Sequence, residues 1–265
     1  MIEGESKFER GPVNPESEDI KYIQRGVWAD QLRNGQELPV GGSMFSGDLT
    51  KKLELDFESF DSQQFTQENI LKAYEKSKDS VEDWLKKCGS DVDPYIFFVC
   101  FNVQKKMEEL LKVNSEDEVS TNRLMAYRGD NSPKLSELKG KTECAERAAL
   151  GQYLLQKSGL KSAYVSGITM EDAKDSDEFA TDHSYIAIEQ PNKPDETLIF
   201  DIARPHTGAN NEKIARVLRT EVPFNFELLK DKEELLVGAD DVLQNQRLYF
   251  GVGHPVAGRH EIAEK

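Results

Sequence analysis

The segment Thr142-Glu143-Cys144-Ala145-Glu146-Arg147-Ala148-Ala149-Leu150 decides how this chain is read. Its alanines, leucine and charged residues favour a helix. Gly140-Lys141-Thr142 suits a helix start, so Cys144 is expected to open the helix and not to lie within it. That position gives the thiol its chemistry. A free cysteine with a pKa of ~8.5 is mostly protonated at neutral pH, and a helix N-terminus beside an imidazolium lowers this to ~3.5–7.5. The helix dipole favours the thiolate, and amides of the first turn can donate to an oxyanion. His183 opens one strand-like run downstream, and Asp201 ends another. Thiol, imidazole and carboxylate in that order match a nucleophile, its general base, and the group that orients the base. A lone cysteine among alanines is more often a small buried hydrophobe. The order and setting of the three groups favour the catalytic assignment.

The helix is expected to stop near Gly159, followed by strands over Ser162 to Ile168, Ser184 to Ile188 and Leu198 to Ile202, which are rich in β-branched and aromatic residues. If the last two are adjacent and antiparallel, His183 and Asp201 share a face. Upstream, Ile70, Leu71, Tyr74, Val81, Trp84 and Leu85 recur at helical spacing, giving one or two amphipathic helices over Thr66 to Lys87. A second helix follows Pro94 and runs to Val113; its first half is apolar all round and therefore central. Asn114 to Thr121 reads as a connector, Asn211 to Arg219 as a short helix, and Arg247 to Val252 as a last strand. Residues 1–61 are rich in Gly, Pro, Asn and Ser and read as an irregular arm. The organisation expected is therefore an arm over 1–61, a helical region over 62–119 packed on the core, and a catalytic core over 120–265.

Composition narrows the partners. The chain has 265 residues and is long enough to bury a sizeable core. Its three cysteines, Cys88, Cys100 and Cys144, do not suggest a disulfide framework and point to a reducing compartment. No secretory signal and no membrane-spanning run is present, so the expected location is the cytoplasm, or a host cytosol reached by specialised delivery. A net charge of −15 with no basic stripe argues against nucleic acid. Neutral or basic proteins and peptides are the expected partners. Glu171, Asp172, Asp175, Asp177, Glu178 and Asp182 lie between two expected strands and read as an acidic connecting loop. His206, His254 and His260 lack metal-ligand spacing, and neither metal nor cofactor is expected.

The cysteine block continues through Leu154-Leu155 and Ser158-Gly159-Leu160-Lys161-Ser162-Ala163-Tyr164-Val165-Ser166-Gly167. With His183-Ser184-Tyr185-Ile186-Ala187-Ile188-Glu189 and Leu198-Ile199-Phe200-Asp201-Ile202-Ala203-Arg204-Pro205, it resembles the transglutaminase-like cysteine hydrolase superfamily. The resemblance covers roughly residues 120–205. It implies an α+β fold with a papain-like core, in which the cysteine-headed helix packs on an antiparallel sheet, and a Cys144, His183 and Asp201 triad. It also implies a thiol-dependent acyl-transfer enzyme hydrolysing an amide or peptide bond, as a cysteine peptidase or a protein glutamine deamidase. Fold relatives include cross-linking transamidases and members without activity, so a transamidase and a non-catalytic protein-binding module stand as alternatives. Tyr185 stands where the family commonly has Trp, and Thr142-Glu143 where a Gly commonly precedes the cysteine. Gln24, Trp28, Gln31, Trp84 and Gln104 lie upstream of the cysteine, and none has a context that marks it as a second oxyanion donor.

Overall fold

The computed structural model describes residues 20–40, 51–87, 92–112, 119–130, 132–173, 176–207, 213–220, 224 and 249–255. In chain order the elements are β1 (Ile20–Ala29), β2 (Glu37–Pro39), β3 (Lys52–Glu54), α1 (Gln67–Lys87), α2 (Pro94–Leu111), α3 (Val119–Ala126) and α4 (Cys144–Lys157). There follow β4 (Ser162–Ala173), β5 (Ser176–Glu189), β6 (Thr197–Phe200), β7 (His206–Thr207), β8 (Lys213–Ile214), β9 (Val217–Thr220) and β10 (Tyr249–Pro255). The fold is mixed α+β. No helix among the described residues is long and apolar enough to cross a membrane.

The main sheet is antiparallel, as expected, but it closes into a barrel of order β1-β10-β9-β6-β5-β4. β1 pairs with β4 on one side and β10 on the other, which closes the ring and leaves it no free edge. Alternation along the strands divides the apolar residues between two cores. Ile186, Ile188, Leu198 and Phe200 join the helices in the larger cluster, while Val165, Tyr185, Ala187, Ile199 and Leu218 form a second, inside the ring. Each of these strand residues is nearly or fully excluded from solvent.

The helices cover one side of the barrel. Asp93 caps α2 by accepting from the Tyr95 and Ile96 amides, with Pro94 at the first helical position. The helix is buried through Ile96, Phe97, Phe98, Val99 and Cys100, as its all-round apolar start requires. Trp84 of α1 stacks on Phe97 with ring centroids 4.9 Å apart. α4 ends at Lys157 with Ser158 as C-cap, and Gly159 just beyond, at a φ of +83°, reverses the chain toward β4. Gly151 lets α4 approach the barrel closely, because a Cβ there would lie 2.5 Å from Ile202 Cδ1 and 3.0 Å from Ile186 Cδ1.

Four expectations are corrected. Residues 20–29, read within an irregular arm, form the strand that closes the barrel, and residues 37–39 and 52–54 form a small two-stranded sheet. The alternating Ile20, Tyr22 and apolar neighbours carry a strand signal that the flanking Gly and Pro residues obscured; residues 1–19 and 41–50 lie outside the described residues. The short helix expected over Asn211 to Arg219 is absent in the described part: β8 and β9 stand there, and β9 is fixed by pairing with β6 and β10. Spacing of the apolar residues suited either form, and tertiary pairing decided it. The acidic connector is a hairpin, with β4 and β5 paired as far as Ala173 and Ser176. The connector before Thr121 gives way to α3 at Val119, and residues 113–118 lie outside the described residues.

Candidate active site

Cys144 is the first residue of α4, His183 lies on β5, and Asp201 follows directly after β6. Ile186 pairs with Phe200, so Asp201 emerges beside Tyr185 and shares its strand parity with His183. The register thus delivers the carboxylate to the imidazole. His183 Nε2 donates to Asp201 Oδ1 at 2.8 Å, with both side chains buried. The thiol of half-buried Cys144 interacts with the same imidazole. With Nε2 engaged by Asp201, Nδ1 is the ring atom left for the sulfur.

The electrostatics favour an ion pair. Burial pushes the Cys144 thiol up, but the hydrogen bond and charge of His183, the Ser184 amide and the Arg123 charge outweigh it and bring the thiol below its ordinary value. Burial would likewise depress His183, yet the charge and hydrogen bond of Asp201, with contributions from Cys144, raise it to about 9. Asp201 is held well below the usual carboxylate range: burial opposes ionisation, and His183, Arg216 and Arg204 overcome it. Its backbone is also anchored, with the Asp201 amide donating to the Arg216 carbonyl at 2.9 Å. A thiolate–imidazolium pair steadied by a carboxylate is the state these partners select.

A second buried cluster supports the start of α4. Glu146 accepts from Arg123 Nε at 2.9 and 3.0 Å, from the Tyr127 hydroxyl at 2.7 Å, and from the Glu143 amide at 3.0 Å. Arg123 Nη1 also lies 3.5 Å from Glu143 Oε2. Sequence reasoning missed Arg123, Tyr127 and Glu146. The Glu143-x-x-Glu146 spacing at a helix start was a usable signal for the amide contact. The ion pair had none, because its partners come from separate helices.

The upstream glutamines and tryptophans separate clearly. Trp84 is in the α1–α2 contact, Gln31 is exposed, and Gln104 is buried in α2 with its amide donating to Glu108. Trp28 is paired with Val165. Gln24 is paired with Gly167, which is itself paired with His183, so these three backbone positions are in register across β1, β4 and β5. Cys100 is fully buried and its thiol is pushed up by burial, which makes it an inert core residue. Cys88 lies outside the described residues. Comparison with protein-family models, curated proteins and solved structures yields no match.

Proposed function

We propose that the chain is a thiol-dependent acyl-transfer enzyme that hydrolyses an amide or peptide bond, on a papain-like core of the transglutaminase-like type. The observation that carries this reading is the meeting of Cys144, the first residue of a helix, with the His183 imidazole, which Asp201 holds by a 2.8 Å hydrogen bond. Three residues distant in sequence converge with the polarity that nucleophilic catalysis needs.

In the proposed reaction the Cys144 thiolate adds to the carbonyl carbon, and the oxygen that gains charge is received by amides of the first turn of α4. His183, protonated at the outset, gives its proton to the leaving amine as the carbon–nitrogen bond breaks, and a thioester remains. A water molecule then gives a proton to His183 and its oxygen to the thioester carbon. The carbon–sulfur bond breaks, Cys144 leaves as thiolate, the acid product departs, and the proton held by His183 restores the starting pair. Asp201 stays ionised throughout and orients the ring. The net charge of −15 favours neutral or basic protein or peptide substrates.

The test is the rate of Cys144 alkylation by iodoacetamide against pH, in the native protein and in His183→Ala, with modified sites assigned by mass spectrometry. An inflection well below ~8.5 in the native protein and its loss in the variant are expected. Ammonia release and peptide cleavage across a substrate panel then separate deamidase from peptidase. An unreactive Cys144, or a profile indifferent to His183, would remove the basis of the reading.

A further inference from the structure

Arg123 occupies a place that the three-residue line does not explain. Its side chain is nearly all buried, with Nε donating to both carboxylate oxygens of Glu146 and Nη1 3.5 Å from Glu143, the residues on either side of Cys144 at the start of α4. Glu146 is fully buried, and an isolated carboxylate there would be costly and would repel a neighbouring thiolate. Titratable and charged groups surround this turn: His183 on β5, Tyr164 on β4, Arg123 on α3, Tyr127 just after α3, Glu143 at the N-cap of α4, and Glu146 and Arg147 on α4 itself. Tyr164 is held neutral, chiefly by burial, and hydrogen-bonds Ser184 at 3.0 Å. Arg147 Nη1 donates to the Ala203 carbonyl at 3.4 Å, whereas Arg123 is hydrogen-bonded to Glu146 itself.

We propose that Arg123 is a positioning residue that sets the charge balance at the start of α4, neutralising the buried Glu146 carboxylate behind Cys144 so that the thiolate is retained. The proposal rests on the reading of Cys144 as the nucleophile. In this role Arg123 acts through Glu146 and through its field at the sulfur. A guanidinium suits this place because it stays charged when buried and can reach Glu146 and Glu143 at once. Arg123 is indeed held above its ordinary value: burial opposes its charge, and Glu146 leads the groups that outweigh burial.

Charge balance and mere helix support give opposite signs in the pH profile of Cys144 alkylation. Arg123→Gln leaves Glu146 unneutralised and is expected to move the inflection up by about one pH unit. Glu146→Gln leaves the guanidinium in excess and is expected to move it down by a similar amount. Arg123→Lys keeps the charge and is expected to stay close to the native profile. If the cluster only braced the helix, both Gln variants would drift upward toward an ordinary thiol, and that result overturns the proposal. Should circular dichroism show Arg123→Gln unfolded, the other two variants still decide: a Glu146→Gln inflection that rises or stays put overturns it, as does an Arg123→Lys shift of a full unit. A native profile with no lowered inflection sinks the acyl-transfer reading itself; a lowered native inflection unmoved by these changes sinks only the role of Arg123.

Discussion

His183 and Asp201 hold each other charged, and the pH dependence of stability follows from the direction of each shift. In Cys144→Ala the pair is isolated from the thiol. Its imidazole remains raised by Asp201, so its contribution is full below the unfolded value of ~6.5 and is lost as pH rises through the folded value. The carboxyl is depressed, so its contribution is present above ~3.9 and is lost as pH falls. Urea midpoints of Cys144→Ala are therefore expected to be highest between ~4 and ~6.5 and to decline on both sides. Adding Asp201→Asn should flatten the alkaline limb. A midpoint constant across that limb in Cys144→Ala would show that the pair contributes no linkage. In the native protein Cys144 opposes His183 over this range, since a depressed thiol adds stability as pH rises, and the alkaline limb is correspondingly shallower.

Among the elements, α4 is where local sequence and tertiary packing meet. Its start at Cys144 and its stop at Gly159 were legible because capping, alanine content and a left-handed glycine are local properties. β5 and β6 were legible from their β-branched residues, and so was the possibility that His183 and Asp201 share a face. The ion pair beneath Cys144 was not, because nothing in the residues around Arg123 announces a carboxylate on another helix. The same distinction governs Gly151. In an exposed helix Gly→Ala is stabilising by up to ~1 kcal/mol. Here the added methyl meets Ile202 and Ile186 in the packed contact with the barrel, so Gly151→Ala is expected to destabilise by ~1–3 kcal/mol in urea unfolding. A gain in stability would mean that the helix stands farther from the barrel than described.

At the scale of the whole molecule, β1 separates a barrel from an open sheet. Composition pointed elsewhere, since Gly and Pro on either side of residues 20–29 hid a short alternation, and closure depends on partners well over a hundred residues away. Ile23 is paired with Ile168 on one side and Tyr249 on the other. Ile23→Pro removes a backbone donor from a strand paired on both sides, where proline is not accommodated. A lowered urea midpoint is expected, whereas a dispensable arm would leave it unchanged. The ring also orders events during synthesis. Cys144, His183 and Asp201 all leave the ribosome before β10, the strand that joins β9 to β1. A nascent chain therefore carries Cys144, His183 and Asp201 while its barrel still has a gap, and the ring can close only once translation has passed Pro255.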